Sequence, residues 1–211
     1  MGNQDQILSL FPTPVMICSY PFDYSKELEW INKQECNKDN RNTTSGMGNR
    51  QSDDTFILDS VELRRVKTFI ETKLNNYMSS IYGSKAKLVI TQSWLNKAGK
   101  GASHHEHKHP NSIVSGVWYP AIHEKLPPIQ FSAPHPREVS LKVSKFNTFN
   151  SATFMLPMKC GELILFPSHL THSVPSNESD EERISLSFNT WSAGSLGDID
   201  NLTYLPINRL N

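Results

Sequence analysis

Four of the chain's eight histidines, His104, His105, His107 and His109, fall within six residues. Neutral imidazole is the commonest metal-binding side chain. Residues two apart on an extended segment share a face. His107 and His109 can therefore grip one cation from a rigid strand end if a third ligand arrives from elsewhere. His172, in G-E-L-I-L-F-P-S-H-L-T-H, is the candidate for that third position. His105 with His107 obeys the same spacing and stays open as an alternative register, with Glu106 between them facing water. A facial set of three donors leaves the opposite coordination positions free for substrate and oxygen or water. A lone histidine is usually a surface or satisfied core residue, which is the reading for His104, His105, His123 and His135. His169, three residues before His172, could orient that ring from behind.

A second chemical signal lies in E-R-I-S-L-S-F-N. Arg183, Ser185, Ser187 and Asn189 alternate with Ile184, Leu186 and Phe188. A wholly polar face headed by an arginine suits a barrel interior that holds a carboxylate, because guanidinium and carboxylate pair in a planar, two-pronged way. An outward polar face on an edge strand gives the same pattern, and alternation alone weighs the two equally.

These residues need elements to position them. L-S-L-F-P-T-P-V-M-I, from Leu8 to Ile17, reads as a short edge strand, since Pro12 and Pro14 would be costly in a central one. Ser25 could cap a short helix over Lys26 to Lys33. Asn37 to Asp54 is polar and rich in Asn, Ser and Gly; it cannot bury a face and reads as a loop, either a plain connection or a lid. Asp59-x-x-Glu62 resembles a capping box that opens the best helix of the chain. Leu63, Val66, Ile70, Leu74, Tyr77 and Ile81 recur along it at helical spacing, and Gly83 is its stop.

From Lys87 the character changes to short β-rich runs: Leu88 to Asn96, Ile113 to Tyr119, Ile129 to Ser132, Leu163 to Phe166 and Ile184 to Trp191. Pro167 and Ser168 end the fourth run, so His172 falls in a loop or the next strand. A sheet curled on itself would bring the two histidine segments together on facing strands. Asn111 and Ser112 shape the turn after Pro110, and Gly116 marks a close backbone approach. The fold class is mainly β with α additions, a sandwich or barrel-like domain braced outside by N-terminal helices. The chain of 211 residues forms one domain: residues 1–86 give the strand, polar loop and supporting helices, 87–192 the β core, and 193–211 a tail.

Composition narrows the partners. Lys and Arg number 21, as do Asp and Glu, so formal charge is zero and bulk electrostatics disfavour a nucleic acid. Cys18, Cys36 and Cys160 are odd in number and widely spaced, which points to a reducing compartment rather than a disulfide framework. No apolar run approaches 18 residues, and M-G-N-Q-D-Q-I-L-S-L lacks a signal-peptide layout. The expectation is a cytoplasmic protein acting on a small-molecule or peptidyl substrate, without a membrane partner. Its oligomeric state is not legible, and a homodimer is compatible with it.

Taken in order, W-L-N-K-A-G-K-G (Trp94 to Gly101), H-K-H-P-N-S-I-V-S-G-V-W-Y (His107 to Tyr119), G-E-L-I-L-F-P-S-H-L-T-H-S-V-P (Gly161 to Pro175) and E-R-I-S-L-S-F-N (Glu182 to Asn189) resemble the 2-oxoglutarate/Fe(II)-dependent oxygenase superfamily. The closest likeness is to a bacterial and phage subgroup marked by H-x-H-P-N-S-x-x-S-G-x-x-Y and F-P-S-x-x-x-H. The resemblance implies a double-stranded β-helix, a jelly-roll or cupin-like architecture. It implies Fe(II) as cofactor, 2-oxoglutarate as cosubstrate and dioxygenase (hydroxylase) activity. His107 matches the first iron ligand and His172 the distal one. Arg183 matches the residue that pairs with the far carboxylate of 2-oxoglutarate. Asn96 matches a polar residue that contacts the cosubstrate, and Tyr119 and Ser185 are further candidates for that pocket. His107 follows Asn96 by eleven residues, the superfamily's spacing, which favours the His107/His109 register. Most of the superfamily carries a carboxylate where this chain has His109. Three imidazoles bring one negative charge fewer and so change metal affinity and redox potential.

Two other readings remain at this stage. Gly101 before His107-x-His109, and Gly161, Pro167 and His172, fit parts of the cupin motifs, for a metalloprotein that does not use 2-oxoglutarate; Ile113 and Val114 stand where cupins place a glutamate. A non-catalytic β-sandwich with structural zinc would need a closed, four-coordinate site, for which His169 is the spare donor.

Overall fold

The computed structural model describes residues 5–39, 49–134, 139 and 141–207 of the chain. The elements follow in the order β1 (Met16–Ser19), α1 (Ser25–Asn32), β2 (Lys38–Asp39), β3 (Asn49–Gln51), two 3-10 turns (Ile57–Asp59 and Val61–Leu63) and α2 (Arg64–Tyr82). The β-rich part then comprises β4 (Leu88–Ala98), β5 (His104–His107), β6 (Val114–Ala121), β7 (Ile129–Ser132), β8 (Thr153–Leu156), β9 (Glu162–Pro167), β10 (His172–Val174) and β11 (Arg183–Ser192).

The strands form two antiparallel sheets, of order β1-β9-β6-β11-β4-β3-β2 and β5-β10-β7-β8. From β4 onward the chain winds back and forth between them, with β4, β6, β9 and β11 in the large sheet and β5, β7, β8 and β10 in the small one. This is a double-stranded β-helix, mainly β with α additions, as expected. It does not close into a barrel, and β5 and β10 are neighbours in one sheet rather than facing strands. The histidine segments therefore meet edge to edge, with His107 paired directly to His172.

The large sheet carries the core. Leu163, Ile164, Leu165 and Phe166 of β9 are fully buried, as befits an apolar run covered on both faces. Leu163 and Leu165 belong to the cluster that meets α2, whereas Ile164 and Phe166 belong to the cluster between the sheets. On α2, Val66, Phe69, Ile70, Leu74, Tyr77 and Met78 are buried; Ile81 is 43% exposed, so the apolar stripe ends one turn early. Gly83 stops the helix with φ +60°, the left-handed conformation that glycine adopts at little cost. A Cβ on Gly116 would lie 2.3 Å from Phe188 Cζ and 2.8 Å from Leu165 Cδ2, so β6 can sit between β9 and β11 only with no side chain there.

Several local expectations are corrected. β1 is an edge strand but spans only Met16–Ser19; Pro12 and Pro14 lie before it. Ser25 is the first residue of α1 rather than its cap, and its backbone N–H donates to Asp23 Oδ1 at 3.2 Å. No capping box forms at α2: two 3-10 turns precede it, and Asp59 Oδ1 instead accepts from Lys67 Nζ at 2.7 Å. The stretch from Asn37 to Asp54 contributes β2 and β3, which extend the large sheet; its residues 40–48 lie outside the described part, as does His135. Among the described residues, no helix is long and apolar enough to cross a membrane.

Candidate metal centre and anion pocket

His107 is the last residue of β5, and His172 opens β10 directly opposite it. His109 lies past the strand end, where its backbone N–H donates to Ser168 O at 2.9 Å. Each of the three rings offers a nitrogen within 4.8 Å of the others. His107 Nδ1 lies 2.9 Å from His105 O, and His172 Nδ1 lies 2.9 Å from Leu170 O. A carbonyl only accepts, so both Nδ1 atoms carry the proton. Both Nε2 lone pairs are left free for a cation. His109 Nε2 and His172 Nε2 are 3.3 Å apart. Two bare lone pairs at that distance repel, so a proton or a cation must lie between them. Burial, reinforced by the neighbouring imidazoles, lowers His109 to a pKa of about 4 and His172 to about 3. Burial also lowers His107. At neutral pH the three imidazoles are thus uncharged, the state that a metal requires of its ligands.

A chain of serine hydroxyls, Ser115 and Ser168 buried and Ser112 half-buried, fixes the turn that carries His109. Asn111 adopts φ +54°, a left-handed value that asparagine tolerates better than most residues. Ser168 Oγ donates to Ser112 Oγ at 2.7 Å and lies 2.8 Å from Ser115 Oγ, which in turn donates to Asn189 Oδ1 at 2.8 Å. The backbone N–H of Thr190 donates to Ser112 Oγ at 3.1 Å. The serines of H-P-N-S-I-V-S and F-P-S therefore tie the loop between β5 and β6 to the ends of β9 and β11. The motif spacing marked these residues, but only the structure gives them this part.

Arg183 begins β11, which lies between β6 and β4 at the centre of the large sheet, so the edge-strand reading is overturned, and Arg183, Ser185 and Ser187 face the cavity. Arg183 is 4% exposed. Its Nε donates to Pro127 O at 3.1 Å, one terminal nitrogen to Ser185 Oγ at 3.2 Å and the other to Tyr119 Oη at 3.3 Å. The Tyr119 ring lies 5.2 Å from the guanidinium carbon. Burial raises the Tyr119 pKa, and the charge and hydrogen bond of Arg183 oppose that rise. Among the described residues no carboxylate pairs with Arg183. Three of its five N–H groups are satisfied by neutral acceptors, which leaves two donors and a full charge uncompensated.

One cavity touches all three imidazoles, Arg183, Tyr119, Asn96 and Ser185, with ≈ 610 Å³ of empty space, its solvent mouth included. On β11 the inward residues Arg183 and Ser185 are buried, whereas Ser187, Asn189 and Trp191 are half-buried, so Arg183 lies at the closed end. Asn96, 6% exposed, donates from Nδ2 to Ser187 Oγ at 3.2 Å and leaves Oδ1 with no hydrogen-bond partner among the described residues. All seven residues singled out from the sequence therefore converge. His169 is exposed and outside the imidazole cluster, so no fourth protein donor closes the site among the described residues. His104 departs from its assignment as an ordinary surface or core residue. It lines the cavity, stacked on His107 at 4.2 Å between ring centroids. Glu106 is exposed as expected and accepts from Ser132 Oγ at 2.6 Å.

An uncompensated buried guanidinium calls for an anion, and three convergent neutral imidazoles with open positions call for a divalent metal. The residues present thus fit both Fe(II) and a dicarboxylate such as 2-oxoglutarate. Residues 92–189 match the family described as "Putative 2OG-Fe(II) oxygenase". Among solved structures, the chain resembles the non-heme alpha-ketoglutarate-dependent epimerase SnoN from nogalamycin biosynthesis (TM-score 0.63, 13% identity, covering 88% of this chain and 82% of that one). It also resembles HygX from Streptomyces hygroscopicus, solved with nickel, 2-oxoglutarate and hygromycin B (TM-score 0.59, 8% identity, coverage 86% and 84%). A Pseudomonas putida prolyl-4-hydroxylase is similar too (TM-score 0.56, 10% identity, coverage 86% and 94%). A search of the curated proteins found no match. These structures share the fold, and the matched segment contains the three imidazoles together with Asn96, Tyr119, Arg183 and Ser185.

Proposed function

We propose that the protein is a 2-oxoglutarate- and Fe(II)-dependent dioxygenase that hydroxylates a small-molecule or peptidyl substrate, with residues 87–192 as its catalytic core. One observation carries this reading: a buried arginine without a carboxylate partner shares a cavity with three imidazoles whose nitrogens face one another. His107, His109 and His172 would hold the iron through their ring nitrogens. Arg183, backed by Tyr119 and Ser185, would pair with the far carboxylate of 2-oxoglutarate, and Asn96 would offer its unsatisfied amide oxygen to the cavity. Bound together, iron and 2-oxoglutarate supply oxygen activation: O2, 2-oxoglutarate and a C–H bond become succinate, CO2 and an alcohol.

The chain's own residues do the rest. Two backbone carbonyls lock the tautomers of His107 and His172, so their lone pairs need no rearrangement when metal arrives. With no carboxylate among the three donors, His107, His109 and His172 would leave a bound divalent cation its full double charge, which would strengthen its attraction for an anionic cosubstrate. Arg183 at the closed end and the imidazoles nearer the mouth fix the direction in which a dicarboxylate enters. Trp94, half-buried and 6.1 Å from the His109 ring between centroids, walls the cavity on the metal's side and limits water there.

The test is succinate formation from 2-oxoglutarate by the Fe(II)-loaded protein in air. Turnover that depends on both metal and 2-oxoglutarate is the expected result. A stably metallated protein that yields no succinate with or without candidate substrates contradicts the proposal.

A further inference from the structure

We infer that His104 and Asn49 are two additional positioning residues for the dicarboxylate that spans the imidazoles and Arg183. This inference rests on the 2-oxoglutarate reading of the cavity and assigns new contacts within it.

His104 reaches the cavity because of a defect in the strand. Four residues of β5, from His104 to His107, are matched by three of β10, since His107 pairs with His172 and His104 with Val174. In a regular strand, residues three apart point to opposite faces. The bulge restores His104 to the face of His107, as such bulges do next to active sites. His104 Nε2 is buried without a hydrogen-bond partner among the described residues.

Register places this ring between the metal and the anion end. His107, His172 and Phe131 form one row across the small sheet. The next row holds His104 and Val174, and the same register continued brings Val174 level with Ile129. Two residues before Ile129 is Pro127, whose carbonyl accepts from Arg183. A ligand that extends from the metal row to Arg183 must pass the His104 row.

Asn49 approaches from the opposite sheet. It pairs with Ala98 on β4, and Ala98 pairs with Arg183 on β11. Directly paired residues project to one face, so Asn49, Ala98 and Arg183 form a row along the closed end, and all three line the cavity. The small Ala98 side chain leaves room between the amide and the guanidinium. Asn49 is 6% exposed, and its Oδ1 has no hydrogen-bond partner among the described residues. An unpaired buried polar atom is costly unless a ligand satisfies it. Two such residues stand on opposite walls of the path to Arg183, and each can present an N–H to an anion there. The amide can turn its N–H2 toward a carboxylate, and the imidazole can donate from Nε2.

The experiment is calorimetric titration of N-oxalylglycine, an inert mimic of 2-oxoglutarate, into the Co(II)-loaded protein. H104F keeps a ring to stack on His107 but removes the nitrogen; N49A removes the amide at a distance from the metal donors. Each should weaken binding by about tenfold, the scale of one lost hydrogen bond to a charged group, with metal stoichiometry unchanged. H104Q, which restores a donor, should recover most of the affinity, a rescue that a purely structural role would not give. Wild-type affinity in both H104F and N49A overturns this inference and leaves the function intact. No binding by the wild type sinks the function and the inference together.

Discussion

The two walls of the cavity are built differently. The large sheet supplies Arg183 and Asn96 from long strands, β11 paired on both sides and β4 paired with β11 along its length and with β3 at its end, packed from behind by α2 and the apolar core. The small sheet supplies His107 and His172 from strands of four and three residues, and His109 from a turn beyond a strand end. The anion anchor is thus held by regular hydrogen-bonded sheet, and the metal donors by individual bonds: two carbonyls on Nδ1 atoms, one backbone bond to Ser168, and a string of serine hydroxyls. Rigidity comes from the ladder on one wall and from local side-chain chemistry on the other, so substitutions should separate the two.

The strongest break is H172A. It should reduce Fe(II) content to background and abolish 2-oxoglutarate turnover, because two imidazoles alone make a poor site; metal analysis after desalting checks this. R183A should leave metal content unchanged while 2-oxoglutarate affinity falls on the order of a hundredfold, as removal of one partner from a buried charge pair does. Affinity titrations on the metal-loaded protein decide it. A third prediction concerns acid. The folded pKa values of His109 and His172, about 4 and about 3, lie below the ordinary value of 6.5. The unfolded chain therefore takes up protons that the folded one refuses. This contribution to stability is complete above pH 6.5 and is lost as pH falls toward the folded values. The metal-free protein should lose about 2 kcal/mol per imidazole between pH 7 and pH 5, and bound metal should resist the loss by competing with protons. Denaturant melts at the two pH values, with and without metal, measure it. The smallest effect is that of S168A, which removes the hydroxyl that links Ser112 to Ser115: about 1 kcal/mol of stability, with metal affinity falling more than 2-oxoglutarate affinity at saturating metal.

Legibility in the sequence followed the same division. The large sheet could be read because its strands are long and patterned: Ile184 to Trp191 and Leu88 to Asn96 needed little correction, and the alternation after Arg183 named the inward face without deciding that it was inward. The small sheet was harder. β8, whose side chains are mostly exposed, carries no apolar alternation to notice, and β10 has three residues. His107, His109 and His172 were legible by residue type and spacing. His104 was not, because alternation places it on the opposite face and only a pairing irregularity with β10 returns it. Asn49 was hidden in a polar stretch that reads as loop, since its strand gains stability from pairing with β4 rather than from an apolar face. Serine is common enough on surfaces that the hydroxyl chain gave no signal beyond the motif that contains it.

The central claim is that the imidazoles and Arg183 serve one ligand between them. It predicts energetic coupling: metal and cosubstrate should raise each other's affinity by the same factor. Titrating N-oxalylglycine into the same protein sample, first metal-free and then loaded with Co(II), measures that factor directly. Binding strengthened at least tenfold by the metal is the predicted result, and an affinity indifferent to the metal would contradict the account.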